Sequence, residues 1–303
     1  MIVRWGLDEL PGLLDEVGVE RPLLVAGPRW DELGIPASHR WTEVPSDRIV
    51  VPAEVDGILA VGGGSAIDTG KAASAASSLP LVSVPTTYSG AEWTGFFGIR
   101  TPDRRQIGGG KGARPVGIVY DVDLTLDLPR ADSAGTAMNA LAHCVEALYP
   151  GELEIARRGA AGIDWWLPRV LEDGHDREAR QGLLAAAADA GHALAEHGLY
   201  LGHAMAQAAG GTYGLPHGAM NALCLPPAMR FNAETVPNAM TAVPLERVEQ
   251  LARLGGFERL RDFGIPAEEL DELGEKAAER PGAKANPRSV TGHEVAELYR
   301  SIW

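Results

Sequence analysis

The chain has 303 residues, room for one large or two medium domains, and its 45% hydrophobic content is enough to bury a sizeable core. Lys plus Arg number 27 against 41 Asp plus Glu, a net charge of -14. Such a surface repels phosphate backbones and anionic bilayers, which argues against nucleic acid or membrane as partners and leaves a small-molecule substrate.

The N-terminal MIVRWGLDELPGLL lacks the apolar core of a signal peptide, and no uncharged apolar run approaches a membrane span, so a cytoplasmic protein is expected. Residues 1–129 alternate short apolar runs with helical ones. RPLLVA (21–26), DRIVV (47–51), DGILAV (56–61), LVSV (81–84) and VGIVY (116–120) read as strands, and a helix is predicted from 66 to 77. Continuous apolar strands alternating with helices predict a parallel sheet covered on both faces, an α/β N-terminal domain. From residue 130 the texture changes. Segments 131–150, 154–172, 177–209, 215–231, 245–262, 266–279 and 291–302 carry helical periodicity, so residues 130–303 form an all-α C-terminal domain. Cys144 and Cys224 lie in apolar helical runs and read as reduced core thiols.

Three groups of residues carry chemistry. Gly62, Gly63, Gly64 and Ser65 follow a strand and open a helix, where glycines admit a ligand to the backbone and free N–H groups favour a pyrophosphate. Ile67 stands where the last glycine of G-x-G-x-x-G would be. PTTYSGAE (85–92) follows the next strand at its carboxyl end, where ligands of doubly wound sheets collect; Thr86, Thr87, Tyr88 and Ser89 offer hydroxyls there. Asn139 and His143, at i and i+4, share a face of one helix. His203 lies on another helix, followed by a predicted break at Gly210-Gly211 and then by His217. Three imidazoles suit zinc, but Asn is a poor ligand and the set has no carboxylate; the alternative is that the histidines donate protons or hydrogen-bond the substrate.

Together these motifs resemble the iron-containing alcohol dehydrogenase superfamily, with its dehydroquinate synthase-like fold, and within it the maleylacetate reductase branch. The resemblance rests on AVGGGSAIDTGKA (60–72), VSVPTTYSGAEWT (82–94), IVYDVDLTLDLP (118–129), AMNALAHCVEALY (137–149), GGTYGLPHGAMNALCLP (210–226) and NPRSVT (286–291), in the family's order. It implies an active site in the cleft between the two domains, NADH or NADPH as cofactor, and a homodimer. It places the pyrophosphate on Gly62–Ser65 and the nicotinamide near Thr86, Thr87 and Tyr88, and it counts Asp68 among the cofactor-binding residues. Metal-dependent members use an aspartate and a histidine at i, i+4 plus two later histidines, positions that match Asn139, His143, His203 and His217; the asparagine implies no metal. Gln207 stands where many members carry a further histidine near the nicotinamide. Arg105, with Lys111 of the unusually glycine-rich GGGKGARP (108–115), is the candidate for a substrate carboxylate. The N-terminal domain is also short, with about 30 residues between the first strand and the glycine turn.

The expected activity is therefore an NAD(P)H-dependent, metal-free reductase of a small carbonyl or an enone carboxylate, a divergent member acting on a specialised metabolite. The competing expectations are a zinc- or iron-dependent alcohol dehydrogenase and a non-redox lyase, cyclase or binding protein.

Overall fold

A computed structural model describes residues 1–35 and 37–303. They form two compact units, Met1–Leu128 and Pro129–Trp303.

In the first unit a six-stranded parallel sheet runs in the order β1-β8-β5-β4-β2-β3. The strands are β1 (Ile2–Trp5), β2 (Pro22–Ala26), β3 (His39–Trp41), β4 (Gly57–Gly62), β5 (Pro80–Pro85) and β8 (Arg114–Tyr120). Every residue of β2 and β4 is buried, and alternate side chains enter opposite layers. Leu24, Leu59, Val61 and Val82 pack with Leu10, Leu13 and Leu14 of α1 (Leu10–Glu16). Leu23, Val25, Ile58 and Ala60 pack with Ile67 and Ala73 of α2 (Gly64–Ser77) on the other face. The chain winds from β2 outward to β3, then returns past β2 to β4 and on through β5 to β8. The winding direction therefore reverses between the carboxyl ends of β2 and β4.

Two differences from expectation stand out in this unit. Residues 47–51 form no strand: the run passes between two prolines, Pro45 and Pro52, and pairs with nothing in the sheet. Residues 97–110 form an antiparallel hairpin of β6 (Phe97–Arg100) and β7 (Gln106–Gly110) that composition hides, because three of the five residues of β7 are glycine. These glycines let the strands close: a Cβ at Gly109 would lie 2.8 Å from the Phe97 carbonyl oxygen.

The second unit is helical. Its elements are α3 (Arg130–Ala147), α4 (Glu154–Glu172), α5 (Arg177–His197), α6 (Leu201–Tyr213), α7 (His217–Asn232), α8 (Pro237–Ala242), α9 (Leu245–Leu254), α10 (Leu270–Ala278), α11 (Pro281–Lys284) and α12 (Gly292–Ser301). α3 is buried almost all round and packs on α4, α5 and α7. The predicted 177–209 segment is two helices, parted where Gly198 takes φ +78°. The expected break at Gly210-Gly211 does not occur; α6 runs through both glycines and ends at Gly214 in the left-handed conformation. No helix of the described residues is long and apolar enough to cross a membrane.

Candidate active site

β4 ends at Gly62 with φ +145°, which L side chains rarely adopt, and an added Cβ there would stand 2.8 Å from Ala66 Cβ. A Cβ at Gly63 would meet Thr87 Cγ2 at 2.9 Å. The N-terminus of α2 has no side-chain cap, so its free N–H groups and the positive end of its dipole remain available to an anion. The Thr86 N–H donates to the Gly62 carbonyl at 3.0 Å, fastening the loop after β5 to the glycine turn. Thr87 Oγ1 is buried without a partner. This bare backbone cradle with an unpartnered hydroxyl beside it fits a pyrophosphate. Ser65 lies in the first turn of α2, and its carbonyl accepts from Thr69 Oγ1 at 2.9 Å. Thr86 and Tyr88 are buried.

Asp68 meets the hairpin that follows the PTTYSGAE loop. Its carboxylate accepts from the Gly98 N–H at 3.2 Å, pairs with Arg100 at 3.3 Å and lies 3.5 Å from Lys71 Nζ. These contacts anchor the β6–β7 hairpin to α2 through a half-buried acid. Lys71 is buried and also donates to Thr94 Oγ1 and the Phe96 carbonyl. Glu92, at the end of the PTTYSGAE loop, is buried and accepts from the Tyr120 hydroxyl at 2.6 Å. Burial pushes its carboxyl above the ordinary range, against the pull of Tyr120 and Lys71. Of the two expected carboxylate binders, Arg105 is 65% exposed and pairs with Asp103 of its own turn, and Lys111 is exposed.

In the helical unit α3 and α7 touch backbone to backbone. A Cβ at Gly218 would sit 2.4 Å from the Gly135 carbonyl atoms. One turn beyond Gly135 is Asn139, and Asn221 lies one turn into α7, so this crossing joins the two amides: Asn221 Nδ2 donates to Asn139 Oδ1 at 2.8 Å. The same Nδ2 lies 3.0 Å from His217 Nε2. His203 Nε2 is 3.3 Å from Asn139 Oδ1, and its Nδ1 is 2.7 Å from Glu146 Oε2. The His143 and His203 rings stack with centroids 4.7 Å apart and 12° between planes; His217 is tilted against His203 at 5.9 Å. The structure thus gathers Asn139, His143, His203 and His217 and adds Glu146 and Asn221, which sequence reasoning passed over.

Glu146 is fully buried. Besides the His203 ring it accepts from the Tyr200 N–H at 2.7 Å and the His203 N–H at 3.1 Å, so it caps the otherwise uncapped N-terminus of α6. His203 therefore meets a hydrogen-bond acceptor at each ring nitrogen. His143 is held well below the ordinary imidazole range, first by burial and then by His203 and His217. Its Nδ1 and Asn221 Oδ1 are buried without a partner in the protein, the atoms that a bound polar ligand would satisfy. Among the described residues no three His, Cys, Asp or Glu side chains form a metal-holding group. Gln207, one turn after His203 on α6, accepts from Arg280 Nη1 at 3.4 Å, which brings a half-buried cation to that face.

Residues 48–121 match the iron-containing alcohol dehydrogenase family, and residues 133–303 match the C-terminal part of the Fe-containing alcohol dehydrogenase family. Maleylacetate reductase of Pseudomonas knackmussii is 30% identical over 329 residues, covering 98% of this chain and 93% of its own. The iron-containing alcohol dehydrogenase of Corynebacterium glutamicum superposes with a TM-score of 0.86 at 28% identity, over 100% of this chain and 94% of that one. Maleylacetate reductase from Agrobacterium tumefaciens superposes with a TM-score of 0.85 at 25% identity, over 100% and 95%. Sequence, fold and the Asn139–His143–His203–His217 cluster agree: the chain belongs to the iron-containing alcohol dehydrogenase family and is an oxidoreductase of the maleylacetate reductase-like kind.

Proposed function

We propose that this protein is a metal-independent, NAD(P)H-dependent reductase of a small carbonyl compound or an enone conjugated to a carboxylate, acting as a homodimer in specialised metabolism. The observation that carries the metal-free reading is Asn221. Its amide nitrogen lies 2.8 Å from Asn139 Oδ1 and 3.0 Å from His217 Nε2, and so occupies lone pairs that a cation would need. The donor set also offers an amide where a carboxylate ligand would stand.

A bound nicotinamide supplies the hydride when the cofactor is present. The chain's own residues hold the cofactor and manage charge and protons. The glycine turn Gly62–Gly64 and the α2 N-terminus take the pyrophosphate, and Thr86, Thr87 and Tyr88 line the adjoining loop. The histidine wall stabilises the negative charge that develops on the substrate oxygen. In this reading His203, clamped by Glu146, gives the proton. Arg280, a half-buried guanidinium that donates to Gln207, is better suited to a substrate carboxylate than the exposed Arg105 and Lys111, whose charges act across water.

The test is His203→Ala with maleylacetate and with simple aldehydes as substrates. Turnover should fall by at least about a hundredfold, the order of a general acid's contribution, while the circular dichroism spectrum holds. Unchanged turnover in a folded variant would place the chemistry elsewhere, and failure of NADH and NADPH alike to bind would leave a non-redox protein.

A further inference from the structure

We infer that a groove in the helical unit, apart from the histidine cluster, binds a small carboxylate with an apolar body, and that Arg253 takes its charge. α7 carries two stripes. His217 and Asn221 stand on one at i, i+4; Ala222, Pro226 and Arg230 follow one another at the same spacing on the next, about 100° round the helix. α9 packs on α7, and beside the second stripe lies a groove of about 340 Å³, within the range of small-molecule sites. The lining residues that are buried are apolar, among them Leu223, Pro226 and Phe257, so the floor would take a hydrocarbon body. Phe257 Cε2 lies 2.9 Å from the position a Cβ would take on Gly255, and its Cζ lies 3.5 Å from that on Gly135. Glycines on two segments thus seat the ring, and this wall of the groove is preformed.

The exposed lining is charged. Three guanidinium groups, those of Arg230, Arg253 and Arg259, stand against two carboxylates, Glu249 and Glu258, on a chain whose net charge is -14. Glu249 serves two of the arginines with one oxygen each. Its Oε1 lies 2.5 Å from Arg230 Nη2, and its Oε2 lies 3.8 Å from Arg253 Nη1, too far for a hydrogen bond. Among the described residues the Arg253 and Arg259 guanidinium groups donate no hydrogen bond. A guanidinium fork with its N–H groups uncommitted matches the two oxygens of a planar carboxylate. An inorganic anion would use this charge and leave the apolar floor wet, whereas an acid with a ring-sized body would use both.

Calorimetric titration of the full chain without nucleotide reads this site with benzoate as the probe, beside acetate, which lacks the ring, and benzamide, which lacks the charge. Benzoate should bind at least about tenfold more tightly than either, as one charge-assisted contact or the burial of a ring provides. Arg253→Ala should weaken benzoate binding by about fivefold or more. Glu249→Gln, which releases both arginines from their shared acid, should strengthen it, a gain that a damaged fold cannot imitate. His203→Ala should bind benzoate as the wild type does. No saturable benzoate binding, equal binding of acetate or benzamide, an affinity that Arg253→Ala leaves unchanged, or one that Glu249→Gln does not raise would overturn the assignment. An affinity that falls in His203→Ala and holds in Arg253→Ala would overturn it by placing the probe at the histidines.

Discussion

Glu146 and His203 form a fully buried pair, carboxylate oxygen to Nδ1 at 2.7 Å, and the same carboxylate caps the helix on which the histidine rides. One acid thus fixes both the ring and the backbone of the residue proposed to give the proton. A Cβ at Gly202 would stand 3.0 Å from Glu146 Oε1, so the close approach of α3 to the start of α6 needs a small residue there. Glu146→Ala should cost about 3–5 kcal/mol, because it strips a buried partner from three donors. Glu146→Gln keeps the volume and one acceptor. It should leave the fold intact and lower kcat by about tenfold or more, the order seen for residues that orient a functional histidine. Thermal melts and steady-state kinetics on the two variants check this; Glu146→Gln with wild-type kcat would detach the acid from the reaction.

The α3–α7 crossing makes a second prediction. Gly218→Ala drives a methyl group to 2.4 Å from the Gly135 backbone, which cannot retreat as a side chain end can. The helices must separate, at about 1–3 kcal/mol, and the Asn139–Asn221 hydrogen bond lengthens with them. Gly210→Ala, whose added Cβ would meet the Leu215 carbonyl oxygen at an ordinary 3.4 Å, should be neutral or stabilising by up to about 1 kcal/mol through helix propensity. Melting temperatures of the two variants should therefore move in different directions, with activity lost only in the first.

Glu92 makes stability pH-dependent. Its folded carboxyl is raised mainly by burial, so it binds a proton more readily folded than unfolded. Its contribution is fully present below the ordinary carboxylate range and is lost as pH climbs from there through the raised value. Glu92→Gln, which still accepts from Tyr120, removes that loss. Urea midpoints of wild type and variant should coincide near pH 4 and diverge towards neutrality. The variant should end more stable than the wild type, because it carries no buried group that must shed a proton. A wild type that gains on the variant as pH rises would reverse the sign.

At the cofactor cradle the two glycines separate strain from occlusion. Gly62→Ala meets a backbone conformation that disfavours a side chain and should destabilise the fold by about 1–3 kcal/mol. Gly63→Ala meets the stiff, β-branched Thr87 at 2.9 Å, where the pyrophosphate would lie. It should weaken NADH or NADPH binding by at least about tenfold, with a smaller change in melting temperature. Fluorescence titration and a melt on each protein resolve the two effects.

Much of this was legible in the chain itself. The buried strands β2 and β4 announce a two-faced parallel sheet because their runs are apolar throughout, and α4 falls at Glu154–Glu172 because its apolar stripe and flanking breaks leave little choice. The histidine cluster was legible through its motifs, since i, i+4 spacing pairs Asn139 with His143. Tertiary partners were not. Glu146 stands three residues after His143 as a lone acid in the apolar run AHCVEALY, and burial of a carboxylate is visible only with its donors in place. Asn221 carries no spacing signal of its own; the Gly135–Gly218 contact sets it against Asn139. Asp68 has the sequence position of a ligand-facing acid, and its contacts with Gly98 and Arg100 come from a hairpin that composition conceals. The strand expected at 47–51 failed because periodicity cannot show whether an apolar run finds a neighbour to pair with.

The decisive measurement is the rate of NADH- or NADPH-dependent reduction of maleylacetate by protein stripped with a strong chelator, with metal content determined on the same sample. The arrangement of Asn139, Asn221 and His217 predicts full activity at substoichiometric metal and no gain on adding zinc or ferrous iron. Activity abolished by stripping and restored by either ion would show that the histidine wall is a metal centre.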